Sequence, residues 1–268
     1  MSALALAVAE RRLIAHRDGD VVGTIGVVPQ PHGIGLIFPP QVVGGEEQAP
    51  VERLLIQGAV ERLRLQGVAL AQVVLADAER ELAARFGECG FRRLTTALIL
   101  ERELLGLAAG APPSGALRAR ACDPERDRAD LVRLIERIGV GSLDCPELDP
   151  FRPAAAQLDG HRAACAGGAS AWWTYAVEGT LAGAAFCAVF PETQTCELLF
   201  FGVAPEFRGR GLGRGVLEHV CAVAAGERLH LRAAVDSRNS YARSAYAAAG
   251  FRESDSVEIW VHSPGPTS

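Results

Sequence analysis

Three observations on this 268-residue sequence predict a mixed α/β fold (α+β mixed) in two domains, each a mixed, mostly antiparallel sheet flanked by helices. The chain is longer than one hydrophobic core usually holds. Apolar residues recur with strand and helix periods by turns along it. The stretch Leu105 to Gly115 (L-G-L-A-A-G-A-P-P-S-G) is small, uncharged and rich in Gly and Pro, as linkers are. Residues 105–116 therefore separate a shortened domain, 1–104, from a fuller one, 117–268.

In the second half, Leu117 to Ala121 reads as a strand, and Asp123 to Ile138 as a helix opened by the D-P cap signal, with Leu131, Leu134, Ile135 and Ile138 at helical spacing. A second helix is expected from Pro153 to Cys165. Trp172 to Val177, Leu181 to Val189 and Cys196 to Val203 are strands of a meander, joined by the turns E-G-T and P-E-T-Q-T. Then come a helix (Arg210 to Ala225), a buried strand (His230 to Val235), a helix (Ser240 to Ala249) stopped by Gly250, and a last strand (Val257 to Val261).

The first half repeats the later part of this order: helix Val51 to Gln66, strand Leu70 to Leu75, helix Asp77 to Gly87 and strand Leu98 to Glu101. It has no room for the opening helices. Phe86, Gly90 and Phe91 match Tyr246, Gly250 and Phe251 at a constant offset of 160 residues, so the chain reads as an internal duplication with a shortened first copy.

No run of about eighteen apolar residues is long enough to span a bilayer, and Met1 to Glu10 lacks the basic leader and cleavage site of an export signal. A net charge of -5 disfavours nucleic acid and anionic membranes as partners. The seven cysteines show no C-x-x-C spacing, which points away from zinc or any other metal and towards a reducing, cytoplasmic setting. All 27 basic residues are arginine and Asn239 is the only asparagine, a bias we attribute to a GC-rich genome.

The strongest local signal is Val203-Ala-Pro-Glu-Phe-Arg-Gly-Arg-Gly-Leu-Gly-Arg, a strand end that turns into a glycine-spaced helix start. Free amides and a positive dipole at a helix N-terminus hold a diphosphate by main chain alone, and Gly209, Gly211 and Gly213 allow the close approach. Arg208, Arg210 and Arg214 stand ready to add charge-assisted contacts. The spacing fits neither the dinucleotide fingerprint nor the nucleotide P-loop, which needs a lysine.

The segment resembles the acetyl-CoA-binding motif of the GNAT N-acetyltransferase superfamily, V-x-P-x-x-[RQ]-x-x-G-x-[GA], at Val203, Pro205, Arg208, Gly211 and Gly213. A second motif of that family is matched by Asn239, Ala242, Tyr246, Gly250 and Phe251. The resemblance, over roughly Leu117 to His262, implies a tandem chain with a catalytic GNAT-like second domain and a degenerate first one. It implies acetyl-CoA as co-substrate, with the amides of Arg208, Gly209, Arg210, Gly211, Leu212, Gly213 and Arg214 at the diphosphate. Phe201, Gly202 and Val203 would lie along the pantetheine, and Asn239 and Tyr246 at the thioester.

Acyl transfer to an amine needs a neutral nucleophile, an oxyanion donor and a proton for the leaving thiolate. Tyr246 is the candidate acid, the competing reading being a packing aromatic before the G-F turn. Glu197, on a strand where histone-acetylating members of the superfamily carry their base, is the candidate base; a solvent-facing strand glutamate is the alternative. In the first half, Phe86 and Glu79 replace Tyr246 and Asn239, and Glu46 and Glu47 would repel a diphosphate, so only the second half is expected to bind acetyl-CoA.

The reaction implied is transfer of acetyl to a primary amine by direct attack in a ternary complex. The acceptor, a small molecule or peptide, would meet the connection Val140 to Pro153, where Asp144, Glu147 and Asp149 either draw in a cation or form a solvated loop. Trp172, Trp173 and Tyr175 read as core or interface aromatics. A monomer or homodimer fits equally. Two other readings stay open, a non-catalytic acyl-CoA sensor and an interaction module.

Overall fold

The computed structural model describes residues 4–265 except 10, 31–32, 45–47, 114, 167 and 227–229; Glu46 and Glu47 thus lie outside the described residues. The chain forms two compact units, Met1–Thr96 with Ser256–Ser268, and Ala97–Asp255.

The first unit holds strands β1 (Leu4–Ala9), β2 (Arg12–Arg17), β3 (Asp20–Pro29), β4 (Ile34–Ile37) and the short β5 (Gln41–Val42), then helix α1 (Gln48–Leu65), β6 (Leu70–Ala76) and α2 (Arg80–Glu88). β1 to β4 pair antiparallel in order, and β4 runs parallel to β6. Val51, Leu55, Ile56, Ala59 and Leu63 recur at three- and four-residue spacing on α1 and sink into the core, with Phe86 and Phe91. No α-helix precedes α1 among the described residues.

The second unit holds β8 (Arg118–Ala121), α3 (Arg128–Gly139), a 3-10 turn (Pro146–Phe151), α4 (Ala154–Ala164), β9 (Ala169–Val177), β10 (Thr180–Phe190), β11 (Thr195–Val203), α5 (Leu212–Gly226), β12 (His230–Asp236) and α6 (Ser240–Ala248). β8, β9, β10 and β11 form an antiparallel meander, and β11 runs parallel to β12. One face of this sheet packs on α5 and α6, through Val216, Leu217, Val220 and Tyr246 among others. The other packs on α3 and α4, where Leu131, Leu134, Ile135, Ile138 and Leu158 are buried. Each such side chain contributes about 1.5–3 kcal/mol.

The remaining strands, β7 (Arg92–Arg102) and β13 (Arg252–His262), are shared out between the units. Ala97–Arg102 of β7 pairs antiparallel with β12, completing the second unit, while Val257–His262 of β13 pairs antiparallel with β6, completing the first. The side chain of His262 therefore lies against Gly90 and that of Arg102 against Gly250, although each glycine belongs by sequence to the same half as the other's neighbour. The compact units thus differ from the division at residues 105–116, because the two copies trade their closing strand segments. The stretch expected as a linker is also anchored: Gly110 donates to the Ala222 carbonyl (2.9 Å), and Leu104 and Leu107 pack on the core.

Several expectations shift in detail. The helix expected from Asp123 starts at Arg128, because the Asp123 carboxylate accepts from the amides of Glu125 (2.9 Å) and Arg126 (2.8 Å) and closes a turn first. The helix expected from Arg210 starts at Leu212, because Gly211 is left-handed (φ 74°). β12, expected to be buried, is half-buried: Leu231, Ala233 and Val235 point inward while Arg232 and Ala234 are exposed.

Candidate functional site

β11 and β12 are paired only from Thr195↔His230 to Leu198↔Ala233, yet β11 continues to Val203 and β12 to Asp236, so the strands part like a fork. At its apex, Phe186 faces Phe200 while Cys187 faces Leu198, leaving Leu199 as an extra residue, a β-bulge. The bulge resets the alternation: Leu198 and Phe201 join the α5/α6 core, whereas Leu199 and Phe200 join that under α3 and α4. From Leu199 to Val203, the β11 edge turned to the fork has backbone groups with no partner on β12.

Beyond Val203 the chain makes a short 3-10 turn (Pro205–Phe207) and enters α5 through Gly209 (φ 73°) and Gly211 (φ 74°). Both are in the left-handed region, and nothing lies within 4 Å of where a Cβ would stand, so the backbone is open to an incoming group. α5 carries no acidic residue in its first turn. This is a cradle of free amides at the positive end of a helix, suited to a diphosphate.

Arg208 is committed elsewhere than the diphosphate. Its guanidinium donates to the carbonyls of Val203 (3.0 Å), Val140 (2.9 Å) and Ile138 (2.6 Å), tying the loop to the C-terminus of α3. Arg137 adds an ion pair to Glu206 in the same turn. Arg210 lies over the Phe207 ring, 5.4 Å from its centroid, and Arg214 pairs with Glu218 (2.7 Å) along α5. Gly202 lets α3 pack on β11, since a Cβ there would stand 2.2 Å from Ile138 Cγ2.

Tyr246, on α6, is 5% exposed and packs edge to face on Phe201 (5.7 Å) and Phe251 (5.0 Å). Its hydroxyl has no hydrogen-bond partner among the described residues, and burial, followed by the nearby Asp144 charge, pushes the phenol up. It stays protonated throughout the physiological range. Asn239 caps α6 by accepting from the Ala242 amide (3.1 Å), which leaves its amide nitrogen free to donate. Glu197 lies one rung before the fork's apex, facing Arg232 on β12 and Ala188 on β10. Its neighbours Cys196 and Leu198 face α5, so alternation turns Glu197 to the α3/α4 side, where it has no ion pair among the described residues.

The connection 140–153 is latched to the end of β12 through Asp236 and Arg238, which the sequence did not single out. The Asp144 carboxylate accepts from the Asp236 amide (3.1 Å), and the Asp236 carboxylate accepts from the Cys145 amide (3.2 Å). Arg238 donates to Asp236 (2.7 Å) and takes Glu147 in a two-pronged pair (2.6 and 3.0 Å). Cys145 is held left-handed (φ 49°), and burial pushes its thiol up to about 12. Asp144 keeps a solvent-exposed face, but its carboxyl is enclosed enough that burial raises it against the pull of the Asp236 amide. Asp144 and Glu147 are therefore tied into the loop although both remain exposed, while Asp149 remains unpaired among the described residues. The only local signal for the latch was the polar run D-S-R-N before α6. Trp172 and Tyr175 are core residues, as expected, and Tyr175 donates or accepts a 2.9 Å bond with His219.

A sequence profile described as the Acetyltransferase (GNAT) family matches residues 141–251, which span the latch, the fork, the glycine cradle and α6. Residues 141–251 belong to the GNAT acetyltransferase family. The GNAT domain lies wholly inside the second unit and makes acyl transfer the general chemistry of the site. A search among curated proteins found no match. Among solved structures, the chain is similar to a GCN5-related N-acetyltransferase from Sphaerobacter thermophilus (TM-score 0.71, 16% identity, 98% of this chain and 84% of that one). It is also similar to a tandem GNAT protein from the clavulanic acid biosynthesis pathway (TM-score 0.63, 18% identity, 99% and 85%). A third is a GCN5-related glucosamine N-acetyltransferase region of a fungal β-N-acetylglucosaminidase (TM-score 0.69, 16% identity, 94% and 33%). At these identities the likeness is one of fold, and it supports the tandem arrangement of two GNAT-like units. Among the described residues no helix is long and apolar enough to cross a membrane, and no cluster of metal-ligating side chains occurs.

Proposed function

We propose that the second unit binds acetyl-CoA along the β11/β12 fork and transfers its acetyl group to a primary amine by direct attack in a ternary complex. The observation that carries this reading is the parting of the strands after Leu198↔Ala233, with the Gly209–Gly213 amides at one end and the Tyr246 phenol, packed on Phe201, beside it. Phe201 stands three residues past the apex, about 10 Å along the strand at ~3.3 Å per residue. The free β11 edge can bond the pantetheine amides as a further strand would. Acetyl-CoA supplies the activated acyl group; the protein's own groups position it and move protons.

In this reading Asn239 donates its free side-chain amide towards the thioester end. Glu197, on the α3/α4 side of the apex, takes a proton from the acceptor ammonium directly or through water. The amine nitrogen bonds to the carbonyl carbon, the carbon–sulfur bond breaks, Tyr246 gives its proton to the departing thiolate, and the second proton shed by the nitrogen returns the tyrosine to its phenol form. Burial weakens the phenol as an acid, so this transfer relies on the thiolate being equally desolvated. The acceptor enters from the α3/α4 face, opposite the cradle. The first unit lacks these groups, so one acetyl-CoA per chain is expected. Seven free cysteines support a reducing, cytoplasmic setting.

A thermal-shift titration with acetyl-CoA and free CoA, followed by thiol release against polyamines, amino sugars, peptides with free N-termini and lysine peptides, tests the reading. Stabilisation by both ligands with turnover on one acceptor class is the expected result. Binding without turnover on any amine would favour a sensor, and absence of binding would remove the proposal.

A further inference from the structure

Three aromatic side chains stand abreast on the α3/α4 face of the second unit's sheet, one on each of three neighbouring strands. Trp172 on β9 faces Phe186 on β10, and Phe186 faces Phe200 on β11. The rings stack in turn, Trp172 on Phe186 at 4.3 Å and 21°, and Phe186 on Phe200 at 5.0 Å and 23°. Trp172 and Phe186 are closed off from solvent, 2% and 0% exposed, whereas Phe200 is half-buried. The row is thus sealed at β9 and β10 and accessible at β11.

That accessible end lies at the fork. Among the described residues β12 offers Phe200 no paired neighbour, because its pairing with β11 stops at Leu198↔Ala233. The bulge at the apex is what brings Phe200 into the row. In an unbroken strand, alternation from Leu198 would put residue 200 on the α5 side and Phe201 on the other; the extra residue reverses this, so Phe201 meets Tyr246 and Phe200 meets Phe186. Glu197, three residues earlier, is turned to the same face as Phe200. His161 of α4 roofs the open end, its ring 5.5 Å from that of Phe200 and 6.0 Å from that of Phe186. Burial pushes His161 down to about 4, so it presents an uncharged ring at physiological pH.

We propose that the acceptor amine carries an aromatic ring, which lies on Phe200 beside His161 as the next member of the row. The inference rests on acyl transfer through the same fork, with the acceptor entering from the α3/α4 face. A ring seated there continues the stack across the gap that β12 leaves, with its amino group turned to the fork and Glu197 on the same face to take the proton. Arylalkylamines and peptides that begin with an aromatic residue are then the acceptor class, in preference to polyamines and amino sugars, which offer no ring to stack.

The test uses two matched pairs of acceptors, phenethylamine with cyclohexylethylamine and short peptides that begin with phenylalanine or with cyclohexylalanine. Thiol release is assayed with the native protein and with Phe200→Leu. The members of each pair are close in size and differ in whether the ring is aromatic. The native protein should prefer the aromatic member of at least one pair by about fivefold or more in kcat/KM, the scale of one aromatic pair beyond its buried area. In Phe200→Leu that ratio should fall towards one, whatever the absolute rates become, and an acetyl-CoA thermal shift on the variant reports that it is folded. Equal use of both members of both pairs by the native protein, or turnover confined to amines without an aromatic ring, would overturn the inference while leaving acyl transfer intact. A preference unchanged in Phe200→Leu would overturn the assignment of Phe200. Acetyl-CoA binding with no thiol release from any amine would overturn acyl transfer itself, and this inference with it.

Discussion

Phe86 occupies in the first unit the place that Tyr246 occupies in the second. Each packs edge to face on the phenylalanine five residues on, Phe86 on Phe91 at 5.0 Å and 85°, and Tyr246 on Phe251 at 5.0 Å and 72°. Each also accepts that residue's amide at 3.0 Å. The chain therefore contains its own demonstration that a phenyl ring fits this pocket. Tyr246→Phe should keep the melting temperature within a degree or two and retain acetyl-CoA binding, while kcat falls about a hundredfold through loss of the proton donor. An unchanged kcat in steady-state thiol release would leave Tyr246 a packing residue.

Arg208 is predicted to act on the loop and not on the ligand's phosphates. Arg208→Gln removes the ties to Ile138, Val140 and Val203, and should lower the stability of the free protein by about 1–3 kcal/mol in chemical denaturation. A direct phosphate contact would instead weaken acetyl-CoA binding and leave the free protein's melting untouched.

Two glycines separate packing from conformation. At Gly202 an added methyl meets Ile138, so Gly202→Ala should destabilise the fold by about 1–3 kcal/mol as α3 is pushed off the sheet. At Gly211 there is open space but a left-handed backbone, so Gly211→Ala should cost little in melting and weaken acetyl-CoA binding about tenfold as the cradle relaxes. Calorimetry and melting on both variants read out the contrast; equal effects on both measures would refute it.

The latch carries a pH signature. Burial raises Asp144 above its ordinary carboxylate range, so the folded state holds this proton more tightly than the unfolded chain does. The associated stability is present below the unfolded pKa of about 4 and is lost as pH rises through the higher folded value. Asp144→Asn keeps an acceptor for the Asp236 amide without the charge. It should match the native protein in melting temperature at acidic pH and exceed it near neutrality; a constant difference across pH would show that Asp144 does not titrate in this way.

Much of the fold was legible because α1, α3, α5 and the meander carry strong apolar periods over many residues, and the cradle because glycine spacing is local. What escaped was non-local. The Asp144 carboxylate takes the Asp236 amide across 92 residues, the Asp236 carboxylate takes the Cys145 amide in return, and no short window contains both sides. Asp123 was misread as a helix start because an aspartate that caps a helix and one that closes a turn look alike in sequence. β7 and β13 were recognised as strands, but their pattern states only that they are half-buried, and since the two copies are alike it cannot say which copy receives each segment.

That trade has a consequence for any attempt to divide the molecule. A fragment cut between residues 105 and 116 would carry a β12 whose hydrogen-bonding edge, met here by Ala97–Arg102, lies bare, and would drag along a tail, Ser256–Ser268, folded into nothing. Bare edges recruit strands from other molecules. Isolated second halves should therefore pair with one another or precipitate, and mixing the two fragments should restore solubility, as with split proteins that heal on meeting.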